Sequence, residues 1–218
     1  MMTASECRAA ARRALSGHWA PSVLATVIFI VIIMLLVGYD TLTQVKVLQA
    51  VTSVSLVFTL AQLCILNPLE AGVHNAFRKL YHDGDDNITY NMFKMGFGKW
   101  WHVFLGMFHM NLLILLWSFL FIIPGIVKSL SYAMTPFILV EHPELSTTEA
   151  IHESRLMMKG HKFDLFYLYL TFIGWAILCL FTAGIGYFWL VPYIETAQAA
   201  FYYDIKNEDG VLEATLVG

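Results

Sequence analysis

The sequence predicts an all-α integral membrane protein: a polytopic bundle of six transmembrane helices arranged as three helical hairpins, with short amphipathic interfacial helices. Two observations carry this prediction. Only 13% of the 218 residues are charged, about half the share in soluble domains, whereas 58% are hydrophobic. The hydrophobic residues also form blocks of roughly 18 or more, the length that crosses a hydrocarbon layer about 30 Å thick. A water-soluble fold would lack the polar surface that it needs.

Six apolar blocks are predicted to cross the membrane, each bounded by a turn signal or a polar segment. Their predicted bounds are 21–38, 47–66, 100–123, 126–140, 163–183 and 187–203. The fourth block is short for a full crossing at about 1.5 Å per residue. We expect a single membrane domain over residues 1–206 and a polar tail over 207–218.

Prolines and glycines are predicted to break or turn these helices. Proline removes a backbone donor, and glycine permits the tight turns that connect helices. Breaks of this kind line the binding sites of some transporters, although prolines in membrane helices are also common as simple kinks. The predicted positions are Pro68, Pro124, Gly125, Pro136, Gly184, Gly186 and Pro192.

Three further segments have the pattern of amphipathic helices that lie in the headgroup plane: residues 5–16, 69–81 and 146–159. The last begins with Ser146 and has Glu149 three residues later, which is the pattern of a capping box. We expect these segments to lie against the membrane surface.

The positions of the basic residues predict the orientation. Eleven of the 13 Lys and Arg fall in segments that six spans place on one side, and only Lys46 and Lys128 fall on the other. Because basic residues accumulate on the cytoplasmic side, both termini are predicted to be cytoplasmic. A fourth segment that failed to cross would place Arg155–Lys162 outside, against this rule.

Composition also limits which classes of partner the protein can bind. A net charge of −3 argues against nucleic acid, which requires a basic surface. Cys7, Cys64 and Cys179 lie far apart, so we interpret them as free thiols. The expected partners are membrane lipids, and the sequence leaves homo-oligomerisation open. No cofactor motif is present: there is no nucleotide-binding glycine loop and no catalytic elbow.

Two segments mimic metal sites. Glu149-x-x-His152 has the spacing of a di-metal bundle, but such sites need a second copy, so a solvated helix face is the favoured interpretation. Asp83-x-Asp85-x-Asn87 resembles the start of a calcium loop but lacks the required glycine and the closing glutamate. We therefore expect no metal site.

Glu195 is the sharpest functional candidate, since it falls near the middle of the sixth predicted span. An ionisable group at membrane depth is costly and often functional. His102, His109 and Asn111 on the third span are its predicted partners, and His109 and Asn111 complete the candidate intramembrane polar site. The alternative is that Glu195 lies near the headgroups or bonds a neighbouring helix.

Seven short segments together form a recognisable pattern: residues 14–19, 122–126, 132–136, 149–160, 172–175, 184–186 and 192–193. They resemble those of one bacterial family of integral membrane proteins, catalogued as domain of unknown function 975. The resemblance extends over nearly the whole chain and is most specific after Pro124. It implies the bacterial plasma membrane and supplies no activity or site residue.

Three functional hypotheses remain. The first is a non-enzymatic binding or accessory role at the membrane, suggested by the amphipathic segments. The alternative is a small proton- or ion-coupled transporter or channel using Glu195. An intramembrane enzyme is the least favoured, because it needs at least two polar groups that converge in one pocket.

Overall fold

The computed structural model describes residues 2–46, 52–98, 100–120, 122–182 and 184–209. Within these ranges the chain forms ten helices and no strand, so the all-α prediction is confirmed. The helices are α1 (Ala4–Leu15), α2 (Trp19–Lys46), α3 (Thr52–Asp83), α4 (Ile88–Gly98), α5 (Trp100–Leu120), α6 (Ile122–Tyr132), α7 (Thr135–Glu141), α8 (Thr147–Met157), α9 (Lys162–Phe181) and α10 (Tyr187–Asp209).

Three stretches of the described chain are long and apolar enough to cross a membrane: Trp100–Ser118, Ile123–Glu141 and Lys162–Phe181. The count rises to four if α1 and the start of α2, which meet at a bend of 100°, form one broken span. The prediction of six spans is therefore not supported. Much of the first two predicted spans lies outside the described side chains, which omit those of residues 36–63.

The sixth predicted span, in α10, is not among these stretches, and the second half of α10 lies in the protein interior. Residues 196–203 are all buried by neighbouring helices, among them α1, α3 and α9. A helix enclosed by protein needs no apolar surface for lipid, and α10 accordingly carries Glu195, Asp204 and Lys206. Burial by protein thus replaces the uniform hydrophobicity that a lipid-facing span requires.

The fourth predicted span is longer than its predicted bounds of 126–140. Helices α6 and α7, separated by a turn at Ala133 and Met134, together supply the stretch Ile123–Glu141. Of that stretch 56% is buried inside the protein, against 22% for each of the other two. The α6–α7 stretch therefore lies in the interior, whereas α5 and α9 present their apolar faces outward.

Pro68 does not break its helix, contrary to the prediction. Helix α3 continues through it to Asp83. Proline at this position leaves the carbonyl of Cys64, four residues earlier, without its helical donor. The indole Nε1 of Trp100 donates to that carbonyl oxygen at 3.0 Å. A side chain of α5 thus replaces the missing backbone bond, which lets α3 remain continuous.

Some of the other predicted break positions lie in or beside turns, and others lie within continuous helix. Pro136 lies in the first turn of α7, directly after the turn that separates it from α6. Gly184 adopts a φ of +84° in the α9–α10 turn, a conformation that favours glycine. Pro124 lies in the first turn of α6 rather than ending α5, and Pro192 lies inside an unbroken α10.

Gly125 allows α5 and α6 to approach closely. A Cβ added there would stand 2.8 Å from Cα of Ser118 on α5, closer than two carbons can pack. Helix pairs in membranes use small residues for this close approach. The glycine therefore fixes the α5–α6 hairpin, although it does not act as the predicted break.

The amphipathic segments are helical, but their apolar faces pack on protein. In α1, Cys7, Ala11 and Leu15 are at most 1% exposed, and the helix lies along α10 and α9. The backbone N of Met2 also donates to Asp204 of α10 at 2.6 Å. The predicted segment 69–81 is the second half of α3. Its buried positions likewise contact other helices instead of a membrane surface.

Helix α8 begins with the predicted capping box. The backbone N of Ser146 donates to the Glu149 carboxylate at 2.7 Å, and Ser146 Oγ accepts from the Glu149 backbone N. Hydrogen bonding of the Glu149 carboxylate by the Ser146 side chain and by the Ser146 backbone lowers the pKa of Glu149 from its ordinary value. The buried face of α8 packs against α5, α6 and α7, with Ala150 and Met157 enclosed. Glu153 is also buried, with only 5% of its surface exposed.

Candidate functional site

Glu195 of α10 pairs with His74 of α3. Its Oε2 atom lies 2.8 Å from the Nδ1 atom of His74, and the two side chains are 18% and 11% exposed. The ring and the carboxylate are not aligned for a directed hydrogen bond, and neither atom has another partner. The contact becomes an ion pair when the imidazole is protonated. A titratable pair therefore joins the two helices.

Helix α3 contributes a stripe of polar side chains on the side of this pair. Asn67, Glu70, His74 and Arg78 recur at intervals of three and four residues, so they share one face of the helix, and Asn75 follows directly after His74. Glu70 lies close enough to His74 and Glu195 to interact electrostatically with both. The pair is therefore part of an extended polar region.

Several buried atoms of this region have no partner. They include Nδ2 of Asn67, Nδ2 of Asn75 and Oγ1 of Thr135 on α7. Asn67, Asn75 and Thr135 are at most 5% exposed. Buried polar atoms are usually hydrogen-bonded, because leaving one unpaired costs roughly 1–3 kcal/mol. We call Asn67, Glu70, His74, Asn75, Thr135 and Glu195 the polar seam. It has hydrogen-bonding capacity that the protein does not use.

A second network joins the C-terminal halves of the same helices. The Lys206 Nζ atom donates to Glu141 Oε1 at 2.8 Å, and the Tyr202 hydroxyl donates to Glu141 Oε2. Arg78 Nη1 lies 3.5 Å from Glu141 Oε1 and donates to the Tyr203 hydroxyl at 2.8 Å. This network joins α3, α7 and α10. Glu141 is the common anion of two cations here, Arg78 and Lys206.

The predicted partners on α5 have other positions. Asn111 is exposed, and its Nδ2 donates to Asn67 Oδ1 at 3.4 Å. Asn111 therefore contacts the polar seam at Asn67, which precedes His74 by seven residues on α3. His109 is half-buried on the same helix. The imidazole beside Glu195 therefore belongs to His74 on α3 rather than to a histidine of α5.

An apolar groove of about 450 Å³ lies between α9, α10 and the α1–α2 bend. This volume is within the range of small-molecule binding pockets. Three of the six tryptophans in the chain line it, two of them about half exposed at its mouth. We call it the aromatic groove. Its lining residues are Arg12, Trp19, Trp175, Leu178, Cys179, Thr182, Gly186, Trp189, Leu190 and Tyr193.

Close contacts between α9 and α10 set the shape of the groove. A Cβ at Gly186 would meet Cys179 Sγ at 2.6 Å, so glycine allows the helices to approach at that end. Phe172 and Tyr193 meet edge to face with ring centroids 5.1 Å apart further along. The groove is thus framed by packed side chains.

Cys7, Cys64 and Cys179 are all free thiols, as predicted.

The possible metal-ligating groups do not assemble. Across the five described ranges, no three His, Cys, Asp or Glu side chains lie close enough together to hold a metal ion. Glu149 serves instead in the capping box of α8, and Asp85 accepts hydrogen bonds from Asn87 and Asn91 that hold its pKa at about 2. Both acidic motifs therefore stabilise helix ends.

These features define an all-α protein whose apolar helices can span a membrane. Residues 122–209 match a family described as "Protein of unknown function (DUF975)", which confirms the resemblance over that segment. The resemblance had implied a match over nearly the whole chain. The matched segment instead begins close to Pro124 and covers residues 122–209. No curated protein and no solved structure matches the chain.

The matched segment comprises α6 to α10, so it contains Glu195 and the α9–α10 wall of the aromatic groove. His74, Arg12 and Trp19 lie before it. Both candidate sites are therefore assembled between the family segment and the preceding helices. The spacing of polar residues on α3 indicates in the sequence that His74 lies on a polar helix face. The contact between α3 and α10 could not be predicted without the structure.

Proposed function

We propose that the protein is a multi-pass protein of the bacterial plasma membrane that binds a membrane lipid in the aromatic groove without chemically transforming it. The single observation that carries the proposal is the groove itself. It is lined mostly by aromatic and aliphatic side chains of α9, α10 and the α1–α2 bend, and Trp175 and Trp189 on its lining are about half exposed. Apolar pockets with few polar groups bind ligands mainly through buried apolar surface.

The surroundings of the groove favour a ligand from the bilayer. On α9, Ile177, Leu178, Leu180 and Phe181 are each more than half exposed, although they are apolar. In a lipid setting this surface faces acyl chains, so a chain can enter the groove sideways from the membrane. In soluble proteins, large exposed apolar patches mark interaction sites.

The proposed orientation places both termini in the cytoplasm, which requires α10 to return through the membrane after α9, with its polar side chains among other helices. Arg8, Arg12 and Arg13 precede the first long helix, Arg155 and Lys159 precede α9, and Lys162 is its first residue. Basic residues beside spanning helices favour the cytoplasmic side. Helices α5 and α9 are apolar and mostly unburied within the protein, which supports their assignment as spans.

The test is lipid retention through delipidation, followed by native mass spectrometry. The variant Leu178→Trp places a bulky side chain in the groove, because Leu178 lines it and is 55% exposed. The matched control is Leu180→Trp, two residues later on the same helix and 66% exposed, outside the lining. We expect about one tightly retained lipid in the native protein and the control, and about tenfold lower retention in Leu178→Trp.

The two tryptophan variants keep the result interpretable, since both add the same bulk to α9. A native protein that retains no lipid would overturn the proposal. Equal retention by the two variants would also contradict it, because lipid would then be held elsewhere on the apolar surface.

A second candidate function is a proton-coupled carrier, favoured by the His74–Glu195 pair within the polar seam. Two titratable side chains in contact can exchange a proton, and the unpaired polar atoms beside them can take part in a relay. Proton flux in proteoliposomes would be compared between the native protein and Glu195→Gln. Flux that the substitution abolishes supports the carrier; no flux in either protein removes it.

A further inference from the structure

Arg12 lies in an unusual position, at the edge of an otherwise apolar groove. It lines the aromatic groove beside Trp19 and Tyr193, and its side chain is exposed. Arginine presents five donors in a planar fork that matches phosphate and carboxylate oxygens. A single cation among aromatic and aliphatic residues is therefore a ready recognition group for an anion.

Arg12 has no acidic partner in the described part of the chain, since no ion pair to it is formed there. Arg8, one helical turn earlier, is close enough with Arg12 to act electrostatically on Tyr193. The Nε atom of Arg8 is buried without a hydrogen-bond partner. Two neighbouring guanidinium groups thus leave a positive charge at this end of the groove uncompensated by protein.

Membrane surroundings make that charge costly unless an anion compensates it. The cost of an arginine grows with its depth in the hydrocarbon layer. Basic pockets between membrane helices commonly bind the phosphate of anionic lipids. Tryptophan also concentrates at the level of the lipid headgroups, and Trp19 lies beside Arg12 in the groove lining.

We propose that the aromatic groove selects an anionic lipid, with Arg12 binding the headgroup phosphate and the apolar wall holding an acyl chain. This inference rests on the proposed lipid-binding function and adds the charge class of the ligand. Arg8 adds to the positive potential, and Trp19 and Tyr193 supply the amphipathic surface between headgroup and chain. An anion alone, without a chain, would leave most of the groove unused.

The experiment compares two probe lipids with identical acyl chains, phosphatidylglycerol and phosphatidylcholine, supplied as an equimolar mixture to the full chain. Retained lipid is identified by native mass spectrometry. We expect the native protein to retain phosphatidylglycerol about tenfold over phosphatidylcholine, an increment of about 1.4 kcal/mol. Arg12→Gln should lower that ratio to about one, and Arg12→Lys should keep most of it.

Arg13→Gln is the matched control. Arg13 is the next residue on α1, is also exposed and does not line the aromatic groove. It should leave the ratio unchanged, which separates local recognition from the general charge of the helix. Added sodium phosphate at millimolar concentration should not displace the lipid, since free phosphate lacks the chain.

The outcomes separate this inference from the proposed function. Equal retention of the two lipids by the native protein, or a preference that survives in Arg12→Gln, overturns the choice of an anionic lipid while lipid binding stands. Retention of neither lipid overturns both. A preference lost equally in Arg12→Gln and Arg13→Gln overturns the assignment to Arg12.

Discussion

Replacing Glu141 with alanine is expected to lower the free energy of unfolding by about 3 kcal/mol, the lower end of the range for removing one partner of a buried ion pair, because Glu141 and its partners are partly buried. Glu141 accepts from Lys206 at 2.8 Å and from the Tyr202 hydroxyl, and it faces Arg78 at 3.5 Å. The substitution leaves two cations without their common anion where α3, α7 and α10 meet. Reversible unfolding in detergent micelles measures the change.

Glu144→Ala is the control for this substitution. The Glu144 side chain is 56% exposed and contacts His142 at 2.9 Å. Exposed ion pairs contribute about 0–1 kcal/mol, so the expected loss is small. Similar losses in the two variants would show that the Glu141 network does not hold the three helices together.

Replacing Phe137 with alanine is the second large effect, expected to cost about 3–5 kcal/mol. Phe137 of α7 is fully buried, and its ring lies 5.1 Å from the ring of His74 and 5.1 Å from that of Tyr202. It therefore connects the polar seam to the Glu141 network. The alanine variant loses both aromatic contacts and leaves a cavity between α3 and α10.

Phe163→Ala provides the comparison, since Phe163 on α9 is 84% exposed. Its removal leaves no internal cavity, so the free energy of unfolding should change by no more than about 0.5 kcal/mol. A Phe137→Ala variant as stable as Phe163→Ala would contradict the packing of α7 between α3 and α10.

Composition and hydrophobic blocks were enough to predict an all-α protein with membrane-spanning helices. They were also enough to place α5, α9 and the start of α10 within a few residues. The number of spans could not be predicted in the same way, because a prediction from hydropathy assumes that each crossing helix faces lipid. The second half of α10 is enclosed by protein and the helix carries Glu195, Asp204 and Lys206, so its hydropathy alone does not show whether it crosses the membrane.

Local signals were reliable where their effect is local. The capping box of Ser146 and Glu149 and the turn at Gly184 both occur as predicted. Pro68 was misread because its consequence depends on a distant residue. Trp100 replaces the lost backbone donor from a different helix, and no pattern around Pro68 could indicate that.

The candidate site was predicted only in part for the same reason. Glu195 could be singled out by its depth in an apolar block. His74, its contact, lies 121 residues earlier in the chain, and the sequence does not specify which helices become neighbours. The aromatic groove was not predicted, because Arg12, Trp175 and Trp189 come together only through the packing of α1 beside α9 and α10.

The most direct measurement is a high-resolution density map of the protein in nanodiscs that contain phosphatidylglycerol. We predict an elongated density along the aromatic groove between Trp175 and Trp189, ending in a headgroup density against the guanidinium of Arg12. A groove closed by side chains, or one without lipid density while lipids are resolved elsewhere on the protein, would contradict the assignment of this groove as a lipid-binding site.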